Sequence, residues 1–251
     1  NIQDGTEPLK FACQFYQDYY GPFHDSPLTD IYLGREINYT NYYGSSYSPS
    51  SWDAGFFATK KAVENVDVTI TDNVKTISNY MFAKLNLKSI TIPASVTSIG
   101  SNAFIDCDKL DTIVFEDGDA HLKVKYQYAS SAYWGPFYDS PLTSITLGRE
   151  IEYIKEDGTK YTPGETNDGF FASEDSVEKL SVTFTDKVKS ISEYMFAGRP
   201  IQQLTIPASV TSIGNYTFSG CSALSSINVN SKNTTYDSRN RCNAVIETAT
   251  N

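Results

Sequence analysis

Apolar residues in this chain recur as columns, not as one helical stripe or one alternating run. Val74, Ile77 and Phe82 return as Val96, Ile99 and Phe104, each 22 residues later. A fixed period in the range of about 20 to 50 residues marks a solenoid, whose turns bury their apolar faces only by stacking on neighbours. Three columns follow. One is Phe23, Phe57, Phe82, Phe104, Phe137, Phe171, Phe196 and Phe218. A second alternates: Ile31/Leu33, Val68/Ile70, Ile90/Ile92, Ile113/Phe115, Ile145/Leu147, Val182/Phe184, Leu204/Ile206 and Ile227/Val229. The third is V-x-x-I: Val74/Ile77, Val96/Ile99, Val188/Ile191 and Val210/Ile213. The alternating pairs predict short strands with two residues pointing inward. Strands one turn apart must run parallel, and Pro93 and Pro207 stop two of them, because proline donates nothing to a ladder. The A-F-x-x-C-x-x-L stretch is too short for a full helix and predicts a turn or 3₁₀ segment. The expected fold is therefore a repeat solenoid of parallel strands, mostly β and irregular, with little helix.

A longer repeat lies over the short one. Gly21 to Ile37 and Gly135 to Ile151 agree at 14 of 17 positions, and TIPASVTSIG stands at both Thr91–Gly100 and Thr205–Gly214. The offset is 114 residues, which gives tandem blocks of about 11–124 and 125–238 and about eight turns in all. The columns run unbroken across 104–137, so the expectation is one domain over 1–251. Asp4-Gly5-x-x-x-Leu9-Lys10 mirrors Asp117-Gly118-x-x-x-Leu122-Lys123, which makes Asn1 and Ile2 the expected end of an earlier strand. With Asn1 in place of Met, this leads to the expectation of a piece of a longer array.

Ile90-Thr91-Ile92-Pro93, then Val96-x-x-Ile99-Gly100, then Ala103-Phe104-x-x-Cys107-x-x-Leu110 resembles the BspA-like, Treponema-type leucine-rich repeat. The resemblance runs from about Phe23 to Val229. It is clearest at 87–113 and 201–227 and looser at 57–70 and 171–184. The tail from Tyr236 to Thr248 is similar to a segment common in bacterial members. What the resemblance implies is a cell-surface or secreted binding or adhesion protein, with a host protein or glycan as ligand.

The period is also interrupted at the same place in both blocks. Phe23 to Phe57 and Phe137 to Phe171 are each 34 residues apart, so each block carries about a dozen extra residues at one place. The first insert, Tyr39 to Asp53, is rich in Tyr, Ser, Asn and Gly, the composition of adaptable contact loops. Tyr42, Tyr43, Tyr47 and Trp52 are its candidate ligand contacts. The second, Ile154 to Asp168, is charged, and Tyr161 is its candidate. The competing expectation is that these aromatics lie back on the solenoid flank. A second candidate surface is the outward residue of each strand pair: Tyr32, Thr69, Thr91, Thr146, Thr183 and Thr205, with Val114 and Asn228 between them. The competing account of that column is simply good β propensity on a solvated face.

Composition narrows the partners. With 20 basic and 30 acidic residues the net charge is −10, which disfavours nucleic acid and anionic lipid. No apolar run approaches the roughly 18 residues of a membrane helix. Cys13, Cys107, Cys221 and Cys242 form no CxxC pair, so no zinc site is expected. Cys107 and Cys221 fall where the repeat wants a small buried residue, a place that Ser26 and Ser140 take in the D-S-P-L turns, and inert buried thiols are expected there. Cys242 lies about one turn after Cys221, leaving a bridge open. His24 has Tyr138 as its counterpart, and no GxSxG, HExxH or P-loop occurs. Glu116-Asp117-Gly118-Asp119 lacks EF-hand spacing. The expectation is a monomeric, non-catalytic binding module without metal or cofactor, the alternative being a spacer in a longer surface protein.

Overall fold

The computed structural model describes residues 1–12, 21–24, 26–41, 43–49, 55–57, 64–129, 132–138, 140–163, 170–171, 177–239 and 244–248. Among these, nineteen strands carry the fold and no α-helix occurs.

The alternating pairs form the first sheet. Its strands are β2 (Asp30–Leu33), β4 (Asp67–Ile70), β6 (Ser89–Ile92), β8 (Thr112–Phe115), β11 (Ser144–Leu147), β13 (Ser181–Phe184), β15 (Gln203–Ile206) and β17 (Ser226–Val229). The ladder β6–β8–β11–β13 is continuous, and β2–β4 and β15–β17 pair separately. Its register is that of the repeat: Ile90 stands beside Ile113, Ile113 beside Ile145, and Ile145 beside Val182, all in parallel strands. Ile2 bridges Leu33 in the same parallel sense.

A second parallel sheet lies on another side of each turn, and the sequence pattern did not announce it. It comprises β1 (Leu9–Ala12), β3 (Ile37–Thr40), β5 (Thr76–Ile77), β7 (Ser98–Ile99), β9 (Leu122–Ala129), β12 (Ile151–Lys155), β14 (Ser190–Ile191) and β16 (Ser212–Ile213). The isoleucines of the V-x-x-I column belong to it. Four of these strands, β5, β7, β14 and β16, have only two residues each, too short to display alternation. β9 is the long member; it continues past the sheet and folds back antiparallel on β10 (Ala132–Trp134). At the far end β18 (Tyr236–Asp237) and β19 (Ile246–Glu247) pair antiparallel.

The phenylalanine column fills the turns between the sheets. Consecutive rings from Phe23 to Phe218 stack at 5.6, 5.6, 5.3, 5.0, 5.9, 5.4 and 5.9 Å, with interplanar angles of 4° to 27°. Offset stacking at such separations is the favoured geometry for aromatic pairs. The backbone follows the same step: the Phe82 and Phe104 amides donate to the carbonyls of Ala103 and Pro136 in the next turn, both at 2.9 Å. Cys107, Ser140 and Cys221 each donate to the carbonyl of a phenylalanine one turn back, at Phe82, Phe104 and Phe196 respectively. These three bonds bear out the equivalence of the serine and cysteine positions.

Packing crosses the junction of the two blocks without a break. Buried apolar residues from Ile31 to Val210 form one cluster. Arg149, in the turn after β11, is 1% exposed, and its guanidinium donates to the carbonyls of Ile92, Pro93, Ala94 and Val96 in the first block, at 2.5 to 3.3 Å. Desolvation lowers its pKa to about 10, with a partial opposing pull from Glu116. That is still far above neutrality, so the clamp stays charged. Its first-block counterpart Arg35 is half-buried and reaches only the adjacent turn, donating to the carbonyls of Gln3 and Asp4, both at 2.8 Å.

Candidate functional site

The second sheet is interrupted twice: β3 does not pair with β5, nor β12 with β14. Each interruption coincides with an insert. After β3 the chain turns at Asn41, whose amide donates to the Ser45 carbonyl at 2.8 Å and whose Oδ1 accepts from the amides of Tyr43 and Ser45. Gly44 closes the turn at φ +81°, a left-handed conformation that a side chain would strain. The chain then returns, with Thr40 bridging Ser46 and the Tyr47 amide bonded to the Tyr39 carbonyl. Since β1 holds one edge of β3, the returning segment takes the other, which β5 would otherwise use. The second insert repeats this at an offset of 114. Gly158 has φ +81°, Ile154 bridges Lys160, and the Tyr161 amide bonds to the Tyr153 carbonyl. There Asp157 Oδ1 accepts from both the hydroxyl and the amide of Thr159, which lowers its carboxyl pKa.

The two hairpins treat their aromatics differently. Tyr43 at the first tip is 82% exposed. Tyr47 is half-buried and packs against the core. Tyr42 and Trp52 lie outside the described residues, as do Cys13 and Cys242. Tyr161 corrects an expectation: it is 6% exposed, and its ring lies 5.0 Å from that of Tyr126. Tyr126 is itself buried, on the part of β9 that pairs with β12, so the second insert lays its tyrosine onto the solenoid instead of offering it to solvent. A second correction concerns the thiols. Cys107 is fully buried, whereas Cys221, near the last turn of the phenylalanine ladder, is only half-buried; both are free. Burial pushes both thiols up, Cys107 far more than Cys221.

A cleft of about 640 Å³ opens beneath the first hairpin. Asn38, Tyr47, Thr76, Ser78 and Ser98 line it, with Lys10 and Lys125 at its margins. The second hairpin forms part of its frame. Glu156 there accepts from Asn79 Nδ2 at 3.2 Å and from Ser101 Oγ, and its other oxygen lies 3.6 Å from Lys125 Nζ. Asn79 Nδ2 also donates to the Pro49 carbonyl of the first insert at 3.4 Å, so one buried amide ties both inserts together. The repeat-equivalent cleft beneath the second hairpin is smaller, about 380 Å³, and lined by Glu152, Lys160, Ser192 and Glu193.

The outward column of the first sheet lies apart from these clefts. Thr69, Thr91, Thr183 and Thr205 are exposed, while Tyr32 and Thr146 are half-buried. The Tyr32 hydroxyl donates to the Asp4 carboxylate at about 3.0 Å, and this bond raises its pKa. Where β13 and β15 separate, a groove of about 580 Å³ includes Thr183, Thr205 and Asn228. No helix among the described residues is long and apolar enough to cross a membrane.

Two parallel sheets on a 22-residue period, with phenylalanine, Ile-x-Ile and Val-x-x-Ile columns between them, define a leucine-rich-repeat solenoid. Within that class the chain belongs to the BspA type leucine rich repeat family: the profile for the BspA type leucine rich repeat region, in six copies, matches residues 53–157 and 166–250. No curated protein matches the chain. Among solved structures, the chain is similar to the pneumococcal vaccine antigen PcpA, with 17% identity and a TM-score of 0.46, over 98% of this chain and 53% of that one. It is also similar to a leucine rich cell surface protein from Faecalibacterium prausnitzii A2-165, with 20% identity and a TM-score of 0.38, over 92% and 56%. The chain thus spans about half the length of each.

Proposed function

We propose that this chain is a recognition module of a cell-surface or secreted protein, non-catalytic and without cofactor, which folds as one solenoid and binds a protein or glycan ligand at the first hairpin. The observation that carries this reading is the pairing of an 82% exposed tyrosine, Tyr43, with the cleft beside it. Exposed aromatics on a hairpin tied to a rigid sheet give contact area at low entropic cost. The second hairpin, with Tyr161 buried and Glu156 turned onto the first block, acts as support. A spacer role is the rival, and it makes the hairpin aromatics dispensable.

The test is an array of glycans and extracellular proteins probed with the wild-type chain and with a variant carrying Ser at positions 42, 43, 47 and 52. Binding to the ligand so found should fall at least tenfold, about 1.4 kcal/mol, with no more loss of melting temperature than truncating the half-buried Tyr47 alone brings. Undiminished affinity points to the outward threonine column instead. Collapse of stability would make the tyrosines packing residues.

A further inference from the structure

We propose that the cleft beneath the first hairpin takes an uncharged oligosaccharide. This rests on the reading above that the hairpin cleft is the contact surface, and it names the ligand class.

The cleft floor is a patch of the second sheet. Side chains alternate along a strand, so Thr76 and Ser98, beside each other in parallel strands, turn outward while Ile77 and Ile99 turn into the core. Asn38 holds the same outward column on β3, and Ser78 follows two residues after Thr76. The side chains of Asn38, Thr76, Ser78 and Ser98 have no hydrogen-bond partner among the described residues and face the same open space. Hydroxyls and amides both donate and accept, which suits them to the mixed donors and acceptors of sugar hydroxyls. Beside them the half-buried Tyr47 supplies an apolar ring.

The charges argue against the other ligand classes. Glu36 is engaged with the Lys75 amide at 2.8 Å, and Lys125 lies 3.6 Å from Glu156. Lys10 alone remains as a cation without an ion-pair partner among the described lining residues, in a chain of net charge −10. A phosphate or polyuronate would need more than one such cation. A peptide anchored by apolar side chains would need a greasy socket, and the outward floor offers hydroxyls. The volume of about 640 Å³ falls in the usual range for small-ligand sites, roughly 300 to 1,000 Å³.

The duplicated cleft is an internal control. Asn38 becomes Glu152, Asn79 becomes Glu193 and Ser46 becomes Lys160. The Ser192 hydroxyl, equivalent to that of Ser78, is spent on the Ile151 carbonyl at 2.6 Å, and Tyr161 is withdrawn into the core. The same fold position has thus lost free neutral hydroxyls and gained charge, so only the first cleft takes the saccharide.

Calorimetric titration of the whole chain with cellotetraose, maltotetraose, chitotetraose and lacto-N-tetraose, with tetragalacturonate as the anionic comparison, tests this. At least one uncharged tetrasaccharide should bind. The pair Thr76→Val with Ser98→Ala should weaken it at least tenfold without lowering the melting temperature. The matching pair in the second cleft, Ser190→Ala with Ser212→Ala, should leave it unchanged. Absence of binding by every uncharged saccharide at low-millimolar concentration, or binding by tetragalacturonate alone, overturns the ligand class. A protein ligand that depends on the hairpin tyrosines would then keep the contact surface while the saccharide fails. Saccharide binding that ignores the floor pair overturns the site.

Discussion

Replacing Phe104 by Ala removes a ring that is 0% exposed and stacked at 5.3 Å on Phe82 and 5.0 Å on Phe137. Those two rings lie in the first and second blocks, so the deletion opens a cavity at the junction. The backbone bond from the Phe104 amide to Pro136 holds the neighbouring turns at their spacing and limits collapse into the hole. Buried Phe truncations cost about 3–5 kcal/mol, and limited relaxation places this site toward the upper end. For a chain of this size, roughly 2–4 °C of melting temperature is lost per kcal/mol, which makes the expected fall roughly 6–20 °C if unfolding stays two-state. Phe218→Ala is the natural comparison: it is half-buried with one stacking neighbour, Phe196, and its loss should be about half as large or less. The assay is urea unfolding followed by tyrosine fluorescence and circular dichroism. A loss below about 1 kcal/mol for Phe104→Ala would refute an interior phenylalanine ladder. Equal losses at both sites would refute the argument from burial and neighbours.

Arg149→Met should cost about 3–5 kcal/mol, since it strands four carbonyls of the 92–96 turn; Arg35→Met, at the half-buried counterpart, should cost far less, and chemical denaturation of both variants checks the difference. In native thiol labelling, Cys107 should resist until the chain unfolds and Cys221 should react slowly but measurably; rapid reaction at Cys107 would contradict its burial. The Asp119 carboxyl, hydrogen-bonded to Lys187 at 2.8 Å, is held below its ordinary value. Its contribution is therefore present above the unfolded carboxylate pKa and lost as pH falls through the lower folded one. In an NMR titration its midpoint should rise toward the usual value in Lys187→Met, and an unmoved midpoint would refute the pairing.

The sequence pattern revealed those parts of the fold that repeat. Every phenylalanine of the column joins the stack, and every alternating pair forms a strand, because burial by stacking forces like residues onto like. The second sheet escaped notice for a physical reason: Thr76–Ile77 and Ser98–Ile99 are two-residue strands, and two residues carry no period. The inserts were visible as lengths, 34 residues against 22, but composition alone did not separate a tyrosine at the tip from one folded back. Tyr161 is buried because Tyr126 waits beneath it, a contact set by the β9–β12 register and not by the loop's own sequence. Likewise Glu156 meets Asn79 across 77 positions of chain. Such contacts come from how many turns separate two inserts, and local pattern does not report them.

The claim that the first hairpin and its cleft form the recognition surface is tested most directly by hydrogen exchange along the whole chain, with and without the tightest ligand found on the array. Backbone amides over 37–49 and 76–79 should gain protection on binding, while the strands bearing Thr69, Thr91, Thr183 and Thr205 stay unchanged. Protection confined to those strands, with 37–49 unaltered, would contradict the account and move recognition to the threonine face.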